Sequence, residues 1–489
     1  MKREKRIIVR LADPEFSQLK TLLFSRYPYD EWATFARFGW RDTKQALVLT
    51  LAALDPPSNG DLDESVGHVK ITEPYTLGRA LASETHSLAV GIIHSHPREC
   101  APRPSPIDDD MDKYYSTYFG DFAKDRPYVS LILSIVRDQL VASGRVFWKG
   151  RWLLVNRFVA ETYAVETWIG GYAPKPPENA NRGRVARFTS AFGAEASERL
   201  RQATVAVIGA GGTGSMAIEV LARAGVGRLI IVDPDHLSES NLERVHGSQP
   251  DQVNKGTPKV IVARQHVRAI NETCKVEAYL GALPQPEVLD AVITADVALG
   301  CTDQQHSRLS LSDLSFRYLI PSIDCGVMLE GENGKITGQV LQLVRFLAAD
   351  PCALCREMVF PHRISEELMS PEEREFRQAE AEAAKNRGED PNPYWQGIPQ
   401  LNTVGYLTGI AGAMAAAYAI GWITGRFSPP FSRTQMNLIA EYFDVQDIPA
   451  NARELCSCRR AHGHADQGQI DALISAPSHW PRAKLLSEM

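Results

Sequence analysis

The sequence lacks a basic surplus: 53 lysines and arginines stand against 59 aspartates and glutamates, a net charge of −6 over 489 residues. Proteins that hold nucleic acid neutralise phosphates, so this balance argues against a nucleic-acid partner. A signal-peptide pattern is also missing, because the apolar run in MKREKRIIVRLADPEF meets charge after a few residues. Long uncharged stretches are scarce. The exception, residues 405–425 (GYLTGIAGAMAAAYAIGWITG), has the length of a membrane span. Its glycine and alanine content, without flanking lysine clusters or an aromatic belt, fits a buried helix in a soluble domain, so no membrane partner is expected. There is no internal repeat. Nor is there a disulfide framework: four of the eight cysteines form two tight pairs, which suits metal ligation in a reducing cytoplasm.

What is present reads as α/β. The length suits about three domains. Residues 1–165 mix apolar strand-like runs (KQALVLTLAAL, HSLAVGIIHSH, PYVSLILSIV) with helical stretches (QLKTLLFSRYP, DDDMDKYYSTYF). A Pro/Gly/Asn-rich linker is expected over 166–183. From 184 to 460 strands alternate with helices, which implies a Rossmann-like, doubly wound parallel sheet. Within it, the charged stretch 362–396 reads as a solvated helix and loop. Residues 461–489 read as a tail.

Two candidate chemistries stand out. In the first third, His94 and His96 end an apolar strand, and residues two apart on a strand share a face. Asp108, in Ser105-Pro106-Ile107-Asp108, adds a carboxylate. Two imidazoles and one carboxylate leave a fourth zinc position open for water, and Glu31 is the candidate to move protons. The plain alternative is a pair of polar strand-end histidines and an ordinary helix start, with Ser105 as N-cap and Pro106 in the first turn. Taken together, Glu31, His-x-His-Pro and Ser-x-x-Asp resemble the JAMM (MPN+) metallopeptidases. That resemblance implies a JAB-type α/β domain that cleaves peptide or isopeptide bonds after the C-terminus of ubiquitin-like proteins, with Ser105 helping to stabilise the tetrahedral intermediate. The stretch between His96 and Ser105 is one residue longer than the family's commonest spacing.

In the second region, Gly209-Ala210-Gly211-Gly212-Thr213-Gly214 joins a strand to a helix, where glycines let backbone approach phosphate. Asp233 ends the next strand and suits a ribose hydroxyl. These features alone fit a nicotinamide-dependent dehydrogenase. Arg244 and Lys259 add cations on following loops and Asp303 a carboxylate for Mg²⁺, which a triphosphate needs and a dinucleotide does not. Over residues 184–460 the order of motifs, including RVARFTSAFGAEASERLRQATVAVIGAGGTGS, VDPDHLSESNLERVHG, GTPK and CTDQQHSR, resembles the ThiF/MoeB and ubiquitin-activating family. The resemblance implies ATP-dependent adenylation of a C-terminal glycine carboxylate. It implies Asp233 at the ribose, Asn241, Arg244 and Lys259 at phosphates, Asp303 at Mg²⁺, and Arg187 reaching a partner's site in a homodimer. It also implies a structural zinc held by Cys352, Cys355, Cys456 and Cys458, the second pair here being C-x-C.

The family's thioester-forming members keep a cysteine in the crossover, yet residues 356–400 contain none. Direct transfer from the adenylate is therefore expected, with a hydroxyl route through Ser365 or Ser370, near His362, as the alternative. Cys301 and Cys325 read as small core residues. The expectation is thus a bifunctional enzyme that processes and activates a ubiquitin-like protein and that serves a conjugating enzyme. The rivals are a sulfur-carrier adenylyltransferase and an inactive binding scaffold.

Overall fold

Strands form where β-branched and aromatic residues run apolar on both faces, and helices where capping residues meet amphipathic segments. The computed structural model describes residues 5–24, 30–65, 68–162, 165–174, 183–396, 403–439, 444–468 and 472–486. Two nine-stranded mixed sheets organise it.

The first sheet runs Arg157–Ala160, Arg6–Leu11, Ala46–Asp55, Ala33–Asp42, Ala89–Ser95, Tyr128–Val136, Gln139–Trp148 and Glu166–Thr167, with Arg151–Leu154 paired to Gln139–Trp148. Ala89–Ser95 is central and wholly buried. Helix Pro106–Phe122 covers one face, where Tyr115 and Phe119 pack on Phe35. Helix Asp13–Leu23 buries Phe16, Leu19 and Leu23 in the sheet's other apolar cluster.

In the second sheet Ser322–Glu332, Val297–Gly300, Thr204–Ile208, Arg228–Asp233 and Lys275–Leu280 are parallel neighbours. Lys335–Phe346, Arg433–Asn437 and Asp444–Asp447 extend it antiparallel. The chain order reverses at Thr204–Ile208, which has Arg228–Asp233 on one side and Val297–Gly300 on the other. In such sheets ligands sit in the crevice at the carboxyl ends of the strands flanking this point. The fold is a mixed α/β structure with a Rossmann-like half.

Among the described residues one helix, Gly405–Thr424, is long and apolar enough to cross a membrane, and 67% of its apolar window is buried. Its small residues have a packing reason. A Cβ on Gly412 would lie 2.2 Å from the Thr213 carbonyl oxygen, and one on Gly212 would lie 2.6 Å from Thr408 Oγ1. Glycine is what lets this helix lie directly on helix Gly212–Ala224.

Two boundaries need correction. The expected tail at 461–489 is structural where it is described: Ala461, Ala465 and Ala483 are buried, and Lys484–Leu485 pairs antiparallel with Lys275–Leu280. A two-residue edge strand leaves no periodic signal, which is why the segment reads as a tail. The expected linker at 166–183 begins later, because Glu166–Thr167 joins the first sheet beside Val141–Ala142. Residues 175–182 of that linker lie outside the described residues. The charged stretch after 360 forms two helices, Pro361–Leu368 and Pro371–Asn386, the second largely exposed.

The two halves share a core. Ile8, Ala46 and Val48 of the first sheet cluster with Ala206, Ile208 and Val292 of the second half. Fully buried Arg10 donates to the carbonyls of Ile293 and Ala295, and Arg157 pairs with Asp296. Glu161 accepts from the backbone N–H groups of Asp13 and Ala348, one from each half. Burial is the main cause that pushes this carboxyl up to about 8, with neighbouring Asp13 adding to it.

Candidate functional sites

The first site is built by strand register. His94 faces Ala33 across the antiparallel pair, and Ser95 donates to the Trp32 carbonyl. Continuing that register by one residue sets Glu31 opposite His96, on the face that both histidines share. The Glu31 charge acts on His96. Helix Pro106–Phe122 then delivers Asp108. Ser105 caps this helix, its Oγ accepting from Asp108 N at 3.2 Å while Asp108 Oδ2 accepts from Ser105 N at 2.6 Å. The plain reading of Ser-Pro-Ile-Asp as a helix start and its reading as part of a site therefore describe the same residues.

Ligating atoms of His94, His96 and Asp108 lie within 4.8 Å of one another, and all three residues are buried. His94 Nε2 is 3.3 Å from Asp108 Oδ1, and His96 Nε2 is 3.6 Å from Asp108 Oδ2. His96 Nδ1 sits 3.0 Å from the Ala101 carbonyl, an acceptor that assigns the proton to Nδ1 and leaves Nε2 a lone pair. Neither ring nitrogen of His94 makes a well-formed hydrogen bond among the described residues. A buried imidazole in that state fits a cation better than a core role. Burial opposes the Asp108 charge, yet the two imidazoles beside it and the Ser105 backbone N–H hold the carboxyl far below its usual range. Beneath the site, Arg145 donates to the Asp108 carbonyl and to the buried carboxylate of Asp112. Nothing in the sequence pattern marked this support.

The four paired cysteines converge likewise. Cys352 and Cys456 sulfurs are 3.6 Å apart, and those of Cys355 and Cys458 are 3.9 Å apart. Zinc–sulfur bonds near 2.3 Å in a tetrahedron require edges of about 3.8 Å. The C-x-C pair therefore meets the same geometry as C-x-x-C, because Cys456 caps the short helix Ser457–Arg460 and Cys458 lies within it. Arg453 N–H approaches Cys355 Sγ at 3.3 Å, a contact that suits a thiolate.

The third site is a cavity of about 460 Å³ at the crevice. Gly209, Gly211, Gly212, Asp233, Asn241, Arg244, Lys259 and Asp303 line it. Gly209 has φ +98° and abuts the Cys301 carbonyl, so it must be glycine; at Gly211 a Cβ would meet nothing, and the backbone lies open to the cavity. Gly214 is not among the lining residues. A Cβ there would sit 1.8 Å from the Gly209 carbonyl oxygen, so its absence allows the helix to pack on the loop rather than admitting a cofactor. Asp233 is buried and accepts from Ala210 N and Asp235 N, and burial pushes its carboxyl up despite Lys259. Lys259 Nζ pairs with Asp235 at 2.8 Å, and Asn241 Oδ1 accepts from Ser238 N. Arg187 lies exposed on helix Ala186–Phe192 and does not line the cavity.

Sequence reasoning did not assign Arg308, which lines the same cavity and is fixed by Asp324 at 2.7 Å. Its place five residues after Asp303, on the first turn of helix Gln305–Arg317, was the available signal. Cys301 and Cys325 are buried, their sulfurs 3.6 Å apart, and both also line the cavity. Ser370 caps helix Pro371–Asn386 through Glu373 N, and Ser365 is exposed.

The ThiF family profile matches residues 184–459, more than half of the chain. The SAMP-activating enzyme E1 of Haloferax volcanii is 34% identical over 169 residues, which cover 35% of this chain and 57% of that protein. The sulfur carrier protein adenylyltransferase of Thermus thermophilus is 36% identical over 121 residues, covering 25% of this chain and 44% of the relative. The chain thus spans about half the length of these curated relatives. Among solved structures, E. coli MccB with ATP aligns over 58% of this chain and 76% of its own at 20% identity, with a TM-score of 0.41. The chain belongs to the ThiF family.

Proposed function

We propose that residues 184–459 adenylate the C-terminal carboxylate of a ubiquitin-like or sulfur-carrier protein, and that the first third is a JAMM-type zinc peptidase acting on such a C-terminus. The observation that carries the first part is the convergence of an open glycine backbone, three cations (Arg244, Lys259, Arg308) and three carboxylates (Asp233, Asp235, Asp303) on one cavity at the switch point of a ThiF-family sheet. The curated relatives are adenylyltransferases and activating enzymes by name.

In this reading Asp233 takes the ribose hydroxyls of ATP, and Asn241, Arg244 and Lys259 stabilise phosphate charge. Asp303 holds Mg²⁺, which when bound supplies charge neutralisation at the phosphates. The carrier carboxylate attacks the α-phosphorus. The bond from that phosphorus to its bridging oxygen breaks, and pyrophosphate leaves with the electron pair. Arg187, exposed on its helix, reaches the cavity of a second copy. With no cysteine in 356–400 and Ser370 engaged as a cap, the acyl adenylate passes directly to its acceptor. A sulfur donor fits this as well as a conjugating enzyme does. Pyrophosphate exchange into ATP that depends on a carrier protein tests it, and a wild-type chain that binds ATP without exchange would sink it.

For the peptidase, His94, His96 and Asp108 hold the ion, which supplies an activated water and a Lewis acid when bound. Glu31 would take a proton from the attacking water and give it to the leaving nitrogen. Ser105 Oγ accepts from Asp108 N, which leaves its O–H free to donate to the oxyanion. The four-cysteine cluster holds a second, structural zinc. Cleavage of a carrier extended at its C-terminus, lost in Glu31→Gln, is the corresponding test.

A further inference from the structure

The crossover arm and the nucleotide cavity meet at one carboxylate. Helix Gln305–Arg317 starts two residues after Asp303, and its N-cap, Gln304, offers no side-chain acceptor to the first-turn N–H groups. Such groups need a partner. Glu367, on arm helix Pro361–Leu368, supplies it: Oε1 accepts from Gln305 N at 2.9 Å and Oε2 from His306 N at 2.8 Å. Oε2 also lies 2.8 Å from His306 Nδ1. In return, Phe360 N donates to Gln305 Oε1 at 2.7 Å.

The adjacent residue binds the other limb of the arm. Glu366 Oε1 accepts from Gln396 N at 3.1 Å, so outgoing and returning segments join at neighbouring carboxylates. His306 is only 2% exposed, its ring is 5.2 Å from that of Trp480, and its Nε2 has no hydrogen-bond partner among the described residues. The pair is thus buried between the helix start, the arm and the C-terminal segment. The same first turn carries Ser307 and Arg308 into the cavity, and Gln304 N donates to Thr302 Oγ1, which holds the loop bearing Asp303.

We propose that Glu367 is a positioning residue that ties the crossover arm to the Mg²⁺-side loop of the nucleotide cavity, so that release of the arm loosens Asp303 and Arg308 together. The inference rests on the adenylation reading. A carboxylate at a helix N-terminus opposes the macrodipole favourably and satisfies three donors at once. Its loss leaves two N–H groups and an imidazole unpaired in a dry site. The position of the arm is thereby coupled to the loop that carries Asp303.

The test uses the full-length zinc-loaded chain as Glu367→Ala and Glu367→Gln, with Glu382→Ala, an exposed carboxylate on the same arm, as control. Hydrogen exchange is measured over 302–308 and 360–368 without nucleotide, and the Mg²⁺ midpoint of ATP-induced thermal stabilisation is titrated. Glu367→Ala is expected to speed exchange in both segments and raise the Mg²⁺ midpoint roughly tenfold, as removal of outer-shell support does. Glu367→Gln, whose carbonyl still accepts one N–H, falls between. A purely structural cap would lower the nucleotide-free melting temperature and leave the Mg²⁺ midpoint in place, and that result overturns the proposal. If Glu367→Ala does not fold, the glutamine variant decides. If the wild type shows no ATP-dependent stabilisation, the adenylation reading fails on its own. Exchange over 302–308 in Glu367→Gln then still tests the tie, and unchanged exchange there refutes it.

Discussion

The His–Asp site and the nucleotide cavity are assembled in opposite ways. In the first, two ligands come from one strand end and the third from the first turn of a helix twelve residues on, and their atoms already converge within 4.8 Å. In the second, the lining groups come from strand ends, loops and helix starts spread from Ile208 to Thr408 around about 460 Å³ of open space. Lys259 pairs with Asp235 and Arg308 with Asp324, and those contacts hold the cations on the cavity wall. A metal site needs donors fixed at bond length, whereas a nucleotide site needs a shaped space with its charges fixed at the rim.

Cys352→Ser should be the most damaging change, costing on the order of 5 kcal/mol because metal binding is folding energy. Elemental analysis should fall from two zinc ions to one, with the chain prone to precipitate. His94→Ala with His96→Ala should also remove one zinc but leave a folded, ATP-binding protein. Zinc unchanged in that variant would refute the first site.

The next effect separates the two chemistries. Asp303→Ala should cut pyrophosphate exchange roughly 10²-fold or more with peptidase activity intact, while Glu31→Gln should cut peptidase activity about 10² to 10⁴-fold and spare exchange. Steady-state rates of both reactions on each variant check this. Joint loss in either folded variant would mean the two sites are not independent.

A smaller, pH-dependent effect comes from the shared interface. Glu161 is raised from its ordinary 4.5 to about 8. The unfolded chain therefore loses this proton first, and stability declines as pH rises from about 4.5 to about 8, then levels. The slope is at most about 1.4 kcal/mol per pH unit. Glu161→Gln should flatten that part of a melting-temperature profile, and an unchanged profile would remove Glu161 from the account. Smallest, Ser105→Ala should cost about 1 kcal/mol through the lost cap, measured by denaturant unfolding. Its peptidase rate should fall further than that stability loss accounts for.

How much could be read from the sequence follows the same division. His94, His96, Ser105 and Asp108 were legible because strand period and a helix cap are local rules. Glu31 was named from the sequence as the proton carrier, and its place opposite His96, which continues the Ala33–His94 pairing, needed the sheet. Gly214 does not line the cavity, and sequence cannot tell a glycine that admits a ligand from one that admits a neighbouring backbone; a 1.8 Å contact separates them. Arg308–Asp324, Arg145–Asp112 and Glu367–His306 join segments that no spacing rule connects. The C-terminal edge strand and the common core of the two halves were invisible for the same reason.

The most direct test of the central claim is mass spectrometry of a sulfur-carrier protein with a free C-terminus after incubation with the full-length chain, ATP and Mg²⁺. The account predicts a carrier heavier by one AMP at its C-terminus, formed with pyrophosphate, absent with Asp303→Ala, and released by an added acceptor without a reductant-labile adduct on this chain. A carrier that stays unmodified while ATP is bound, or a carrier–enzyme thioester lost on mutation of Cys301 or Cys325, would contradict it.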